Sequence, residues 1–244
     1  MKMKLCAIPK LLFGSVIAAL LALSTAHAGS GPYVVGGNQH LMIGITLDGA
    51  AVRAALPKGL EPTEGITGGL NIYPSKGSAA TPAYSRFYVW ADVNGHDSIT
   101  GGKARYILWA ATSNGPDKLK KAGNMEVQGA TNLTKSGADI SGATTVGGTQ
   151  IVKAAIKLAD GPKCGPAAGS LNYPSLPDPA GKLMVTQYTF TATICGAAPV
   201  SADIMVDAGH ALAKFKPTKL IWAAYAKDLS FAGSPLMPIK MVGK

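Results

Sequence analysis

Along most of the chain after Gly29, apolar and polar residues alternate in short runs broken by glycine and proline. Alternation with period two sends successive side chains to opposite faces of a sheet, so these runs predict strands with one buried face. They cover residues 42–46, 69–73, 85–93, 105–111, 125–129, 150–158, 183–194, 202–206 and 220–226. Between them, Asn94-Gly95, Asp160-Gly161-Pro162 and Asp178-Pro179-Ala180-Gly181 supply residues that tolerate the dihedrals of a chain reversal. Gly36-Gly37, Gly68-Gly69 and Gly147-Gly148 read as loops or bulges, because none has the spacing of a phosphate-binding loop. Helical period is clearest over residues 48–56, where Asp48 can cap the first turn, Ala51, Val52 and Ala55 share a face, and Pro57 stops the helix. So many short strands predict an antiparallel barrel or sandwich with one or two helices packed against it. No internal repeat is evident. Linker-like composition at residues 29–37 and 136–149 separates no two cores.

The N-terminal residues depart from this pattern. Lys2, Lys4 and Lys10 precede an apolar run over residues 11–23, and small residues lead to Ala26-His27-Ala28. That order predicts a cleavable secretory signal peptide over residues 1–28. The apolar run is shorter than the ~20 residues that span a bilayer, and no later segment is long and apolar enough to cross one. The expectation is a single domain over residues 29–244, periplasmic or secreted, with no membrane contact after processing. Its surface is cationic but evenly so. Removing the signal takes three of the 23 Lys+Arg and none of the 13 Asp+Glu. The remaining lysines form no long run and no aromatic-basic interleaving, so nothing favours a nucleic-acid partner. Cys164 and Cys195 survive processing, and an even pair in an oxidising compartment suggests one disulfide; two separate buried thiols are the alternative.

Candidate chemistry is sparse. His40, His96 and His210 lie far apart, with no ligand at metal spacing, so neither a metal nor any other cofactor is expected. No serine-nucleophile elbow occurs. One segment stands out: Gly115-Pro116-Asp117-Lys118-Leu119-Lys120-Lys121 packs three lysines into four positions between two strands. A lysine beside another cation, or drawn into an apolar pocket, loses its proton more readily and becomes a nucleophile. Its amine can attack a ketone to give an imine, whose electron demand lets a neighbouring carboxylate leave as carbon dioxide. A solvated lysine turn fits the same residues.

Several passages resemble the acetoacetate decarboxylase superfamily in the same order. The stretch from Ala54 through Leu56-Pro57-Lys58-Gly59-Leu60-Glu61-Pro62 is similar to that family's "LLPEGLEP". Pro82-Ala83-Tyr84-Ser85 is similar to its "PYSE" strand entry, and Leu171-Asn172-Tyr173-Pro174 through Val185-Thr186-Gln187 to its "NYKLIP…DG…V.QL" passage. Pro217 through Tyr225-Ala226-Lys227-Asp228 is similar to its "P.EVL.A.YA.D" strand and turn. The resemblance implies a mainly β (α+β) fold, an antiparallel β-barrel with a few flanking helices around a ligand cavity, and a possible homo-oligomer. It also implies an imine-forming lysine, Lys118 in ungapped register or Lys120 if the turn is longer, with Lys121 beside the site. Acetoacetate decarboxylase is itself the known example of a lysine activated by a second cation beside it. Two family acids are absent. Arg86 stands where "PYSE" has glutamate, and Gly69 falls where the second acid is expected. An inward Arg86, with Tyr84, could bind a carboxylate, but an arginine cannot shuttle a proton as an acid does. Three readings follow: a binder of a small carboxylate or keto acid, a lysine-dependent decarboxylase or lyase acting on a β-keto acid, and a non-catalytic structural or interaction protein.

Overall fold

In a computed structural model of the protein, residues 33–78, 82–114, 125–159, 163–176, 182–196 and 199–239 are described. Period-two alternation is realised as two sheets. The larger begins with β1 (Tyr33–Leu47), which lies between β2 (Thr67–Ser75) and the long β12 (Pro217–Gly233). Beyond β2 come β3 (Tyr84–Val93), β4 (Ala104–Thr112) and the short β5 (Glu126–Gln128). On the other side, β12 pairs with β10 (Met184–Cys195), which also holds β9 (Cys164–Ser175) and β13 (Met237–Pro238). The smaller sheet runs β11 (Pro199–Val206), β8 (Thr149–Leu158), β7 (Asp139–Val146) and β6 (Ala130–Ser136).

The two faces of the larger sheet do different things. On β2 and β3, Leu70, Ile72, Phe87, Val89 and Ala91 face the smaller sheet and join Ile140, Ile151, Val152 and Ile156 in the main core. Helix α1 (Gly49–Ala55) adds Val52 to that core, and a 3-10 turn (Ala211–Phe215) adds Leu212 and Phe215. The helix begins where expected, since the Asp48 carboxylate accepts from the Ala51 N–H at 2.8 Å, satisfying a donor that the first turn leaves open. Positions one step out of phase, Tyr73, Tyr88 and Trp90, form a second cluster on the opposite face.

That opposite face curls upon itself. The expected antiparallel barrel is therefore present as a curled sheet rather than a closed one, and β4 and β5 run parallel. At the seam, side chains replace a backbone ladder. Ser98 Oγ donates to the Ser170 carbonyl at 2.7 Å, the Ser170 N–H donates to Thr100 Oγ1 at 2.9 Å, and Asn172 Nδ2 donates to the His96 carbonyl at 3.0 Å. These bonds tie the β3–β4 loop, with its turn at Asn94-Gly95, to the far-edge strand β9.

Several local expectations are corrected. The described part of the first linker-like stretch is the start of β1: register shifts flank Gly36-Gly37, and Gly37 has φ 68°, so the glycines mark a bulge. The second stretch contains β7, whose residues are small because β7 lies hard against β2; a Cβ on Gly142 would come within 2.5 Å of Ile72 Cγ2. Gly147-Gly148 is the two-residue hairpin turn after it, with φ of 57° and 82°. Gly68-Gly69 is neither loop nor bulge but unbroken strand. The predicted strand at 125–129 stops at Gln128, and β6 starts anew at Ala130. Strand β9, absent from the expected set, carries glycine and proline that an edge strand tolerates. The turns at 160–162 and 178–181 lie outside the described residues.

Candidate functional site

The curled face encloses a cavity of about 340 Å³. Its walls come from β1 to β4 on one side and β9, β10 and β12 on the other. One end is shaped by a row of paired residues running across four strands, Trp222, Gly44, Gly69 and Trp90. The two glycines make room for the two indoles. A Cβ on Gly44 would run into Trp222 Nε1, and one on Gly69 would run into both the Trp90 ring and the Ile43 carbonyl. Gly69 thus has no space for the acid that the family resemblance places there, because Trp90 fills it.

A continuous polar chain lines the cavity. Asn71 Nδ2 donates to Tyr88 Oη at 2.9 Å, so the Asn71 carbonyl faces His40 Nδ1 at 3.2 Å and must accept from it. His40 therefore carries a proton on Nδ1; its ring is stacked on Tyr73 at 4.1 Å, and its buried Nε2 has no protein partner. Burial pulls the His40 pKa from 6.5 to about 3, and the Asn71 bond offsets this only in part. Tyr88 Oη meets Tyr173 Oη at 3.2 Å, and Tyr173 in turn hydrogen-bonds Arg105. Burial pushes Tyr73 and Tyr173 well above the ordinary phenol range, which leaves both as neutral hydroxyls.

Among the described residues, two cations line the cavity and no carboxylate does. Arg105 lies over the Trp90 ring, 4.3 Å from its centroid, with Nε 3.9 Å from Asp92 Oδ1. Asp92 is held from behind by Trp90 Nε1 at 3.0 Å and Thr67 Oγ1 at 2.8 Å. Arg86 faces inward, on the same face as its cross-strand partner Tyr73. Its Nη2 donates to Glu126 Oε1 at 2.7 Å, and the Glu126 side chain is wholly buried. Burial opposes the charge on Arg86, but the groups around it, the buried Glu126 carboxylate among them, outweigh it and raise its pKa. Both arginines keep a buried Nε without an acceptor.

With this geometry in hand, likeness to solved structures decides the fold. A structure of acetoacetate decarboxylase superimposes with a TM-score of 0.65 at 17% identity, covering 90% of this chain and 94% of that one. The chain has the acetoacetate decarboxylase fold. The enzyme of that name from Legionella pneumophila matches with a TM-score of 0.66 at 15% identity, over 87% of this chain and 89% of that one. The enduracididine biosynthesis enzyme MppR complexed with pyruvate has the same fold, with a TM-score of 0.61 at 12% identity, over 88% of this chain and 92% of that one. No protein-family model matches the sequence, and no curated protein matches it.

Of the residues singled out from sequence, Arg86 lines the cavity. Tyr84 stands beside it, its ring 5.5 Å from the Arg86 Cζ and 5.9 Å from the Tyr73 ring. Lys118, Lys120 and Lys121 lie outside the described residues. Cys164 and Cys195 form a disulfide between paired positions of β9 and β10. Among the described residues, no group of three or more metal-ligating side chains occurs, and no helix is long and apolar enough to cross a membrane. Sequence reasoning missed Arg105, Glu126 and the His40–Asn71–Tyr88–Tyr173 chain. A signal for Arg105 existed: it sits two residues before Ile107, so period two puts both on one face of β4.

Proposed function

We propose that the cavity binds a small carboxylate or keto acid, with the anion directed to an arginine. One observation carries the reading: Arg86 and Arg105 line a cavity to which no described carboxylate contributes. Charge-assisted, often bidentate bonds from guanidinium are the usual means of holding a carboxylate in a low-dielectric site. Aromatic walls from Tyr73, Tyr88, Tyr173 and Trp222 exclude water and strengthen those bonds. The shared fold of the pyruvate-complexed enzyme adds support for a ligand of this size and type. Calorimetric titration of the purified protein with pyruvate and acetoacetate tests it. Binding that weakens tenfold or more in Arg86→Gln supports the reading, and no heat from either ligand sinks it.

A second reading, a lysine-dependent decarboxylase or lyase acting on a β-keto acid, is favoured by where the described residues on either side of the lysine segment lie. Its N-terminal flank is fixed beside Arg86, where Ser113 Oγ accepts from the Ser85 N–H at 2.8 Å. Its C-terminal flank carries Glu126, the partner of Arg86. Borohydride added with acetoacetate reduces any imine to a stable amine. A mass shift on Lys118 or Lys120 supports this reading; an unmodified segment removes it. Absence of any ligand response would leave a structural or interaction role.

Export accompanies either reading. The basic, apolar and small-residue order of residues 1–28 motivates it, and the Cys164–Cys195 disulfide fits an oxidising compartment. N-terminal sequencing of the protein from the extracytoplasmic fraction should begin at Gly29.

A further inference from the structure

We propose that the ligand is a dicarboxylate, gripped by one arginine at each end of the cavity. The inference rests on the carboxylate-binding reading and narrows it to a substrate class. Arg86 and Arg105 sit on neighbouring strands but are not neighbours. Arg86 opposes Thr112, whereas Arg105 opposes Asp92, six positions further along β3. The guanidinium groups are held at separate stations, Arg86 near the Tyr84 ring and Arg105 over the Trp90 ring. Tyr73 and Tyr88 lie between, in a run of ring contacts from Tyr84 to Trp90. With a strand rise of ~3.3 Å per residue, and the Arg105 side chain leaning back toward Trp90, the two charges are on the order of 10–15 Å apart. Allowing a charge-assisted hydrogen bond at each end leaves room for a backbone of about four to seven carbons.

A monoanion would answer only one of these cations. Arg86 already has a close acceptor in Glu126 at 2.7 Å, so that end is pre-set. Arg105 is less well matched: its carboxylate neighbour stands 3.9 Å away, with oxygens already accepting from Trp90 and Thr67. Each guanidinium nevertheless keeps a buried Nε–H without an acceptor, and one ligand carboxylate at each end would supply both. Between the two ends, the rings suit a methylene chain, and the hydroxyl of Tyr88 or Tyr173 can serve an oxo group.

The test is calorimetric titration of the purified protein at fixed ionic strength with succinate, glutarate, adipate and 2-oxoglutarate, against butyrate, valerate, hexanoate and pyruvate. The expected result is an optimum at one dicarboxylate length, bound at least tenfold tighter than the monocarboxylate of equal length. Arg105→Gln should erase that margin; should the glutamine form fail to fold, Arg105→Lys, which keeps the charge but loses the forked donor geometry, should shrink it at least threefold. Equal affinity for mono- and dicarboxylates, or an unchanged margin in Arg105→Gln, overturns the dicarboxylate assignment and leaves the carboxylate site standing. Silence toward every acid in the series overturns the carboxylate reading itself.

Discussion

Glu126 meets Arg86 inside the fold, Oε1 to Nη2 at 2.7 Å, with the carboxylate wholly buried and its second oxygen unpartnered. The acid arrives from β5, 40 residues beyond the arginine it holds. Local sequence around Arg86 therefore contains no hint of it, and the pairing exists only because β5 adds in parallel to β4.

Removing either partner of such a pair strands the other. Glu126→Ala should destabilise the protein by about 3 kcal/mol, since loss of one member of a buried pair typically costs 3–5 kcal/mol and Arg86 retains some exposure to the cavity. The double change Arg86→Met with Glu126→Leu should recover most of that loss, because neither charge is then left alone. Urea unfolding of Glu126→Ala, Arg86→Met and the double variant reads this directly. A double variant no more stable than the singles would show that the pair contributes through more than mutual neutralisation.

His40 gives a pH dependence of known sign. Its folded-state pKa is lowered from 6.5 to about 3 by burial. Between those values the unfolded chain binds a proton that the folded chain refuses, so stability falls as pH drops. One titrating group supplies a slope of up to ~1.4 kcal/mol per pH unit in that window. His40→Gln keeps a polar side chain without the titration, and its stability should decline less steeply between pH 6 and pH 4. Parallel slopes for the two proteins in urea titrations at those pH values would rule out His40 as the source.

Much of the architecture was legible because a half-buried strand is a local pattern. The runs at 85–93 and 105–111 emerged as β3 and β4 almost residue for residue. Asp48 announced its helix because capping chemistry is also local. What failed to register was structure made by proximity. Strand β7 is written in serine, glycine, alanine and threonine because another strand lies against it. Gly69 is small because Trp90 covers it. Arg86 was visible as a cation where the resembled family has an acid, but the groups that line the same cavity, Arg105 and His40, are 19 and 46 residues away in sequence and come to it only through strand pairing.

The glycine row makes its own prediction. A methyl group at position 69 would collide with the Ile43 carbonyl as well as with the Trp90 ring. Backbone cannot step aside as a side chain can, so Gly69→Ala should cost about 1–3 kcal/mol. It should also displace Trp90 from under Arg105, and binding should weaken at the Arg105 end. Thermal unfolding together with the Trp fluorescence maximum checks both. A variant with unchanged melting temperature and emission would mean that the row has slack not apparent in its contacts.

The disulfide ties stability to the cavity. Cys164 and Cys195 close a separation of 31 residues across the β9–β10 hairpin, for which chain entropy alone gives roughly 3–4 kcal/mol. For a domain of this size, that corresponds to a fall in melting temperature of roughly 6–16 °C on reduction. Strand β9 has more to lose than the rest, because it is an edge whose far side is held by side-chain bonds to Ser98 and Thr100 rather than a ladder. It also supplies Leu171 and Tyr173 to the cavity. Cys164→Ser with Cys195→Ser should therefore raise amide exchange over residues 165–173 more than over β2 or β3, and weaken carboxylate binding without altering Arg86. If exchange rises evenly across both sheets, the bond acts on global stability alone and the seam is not its point of action.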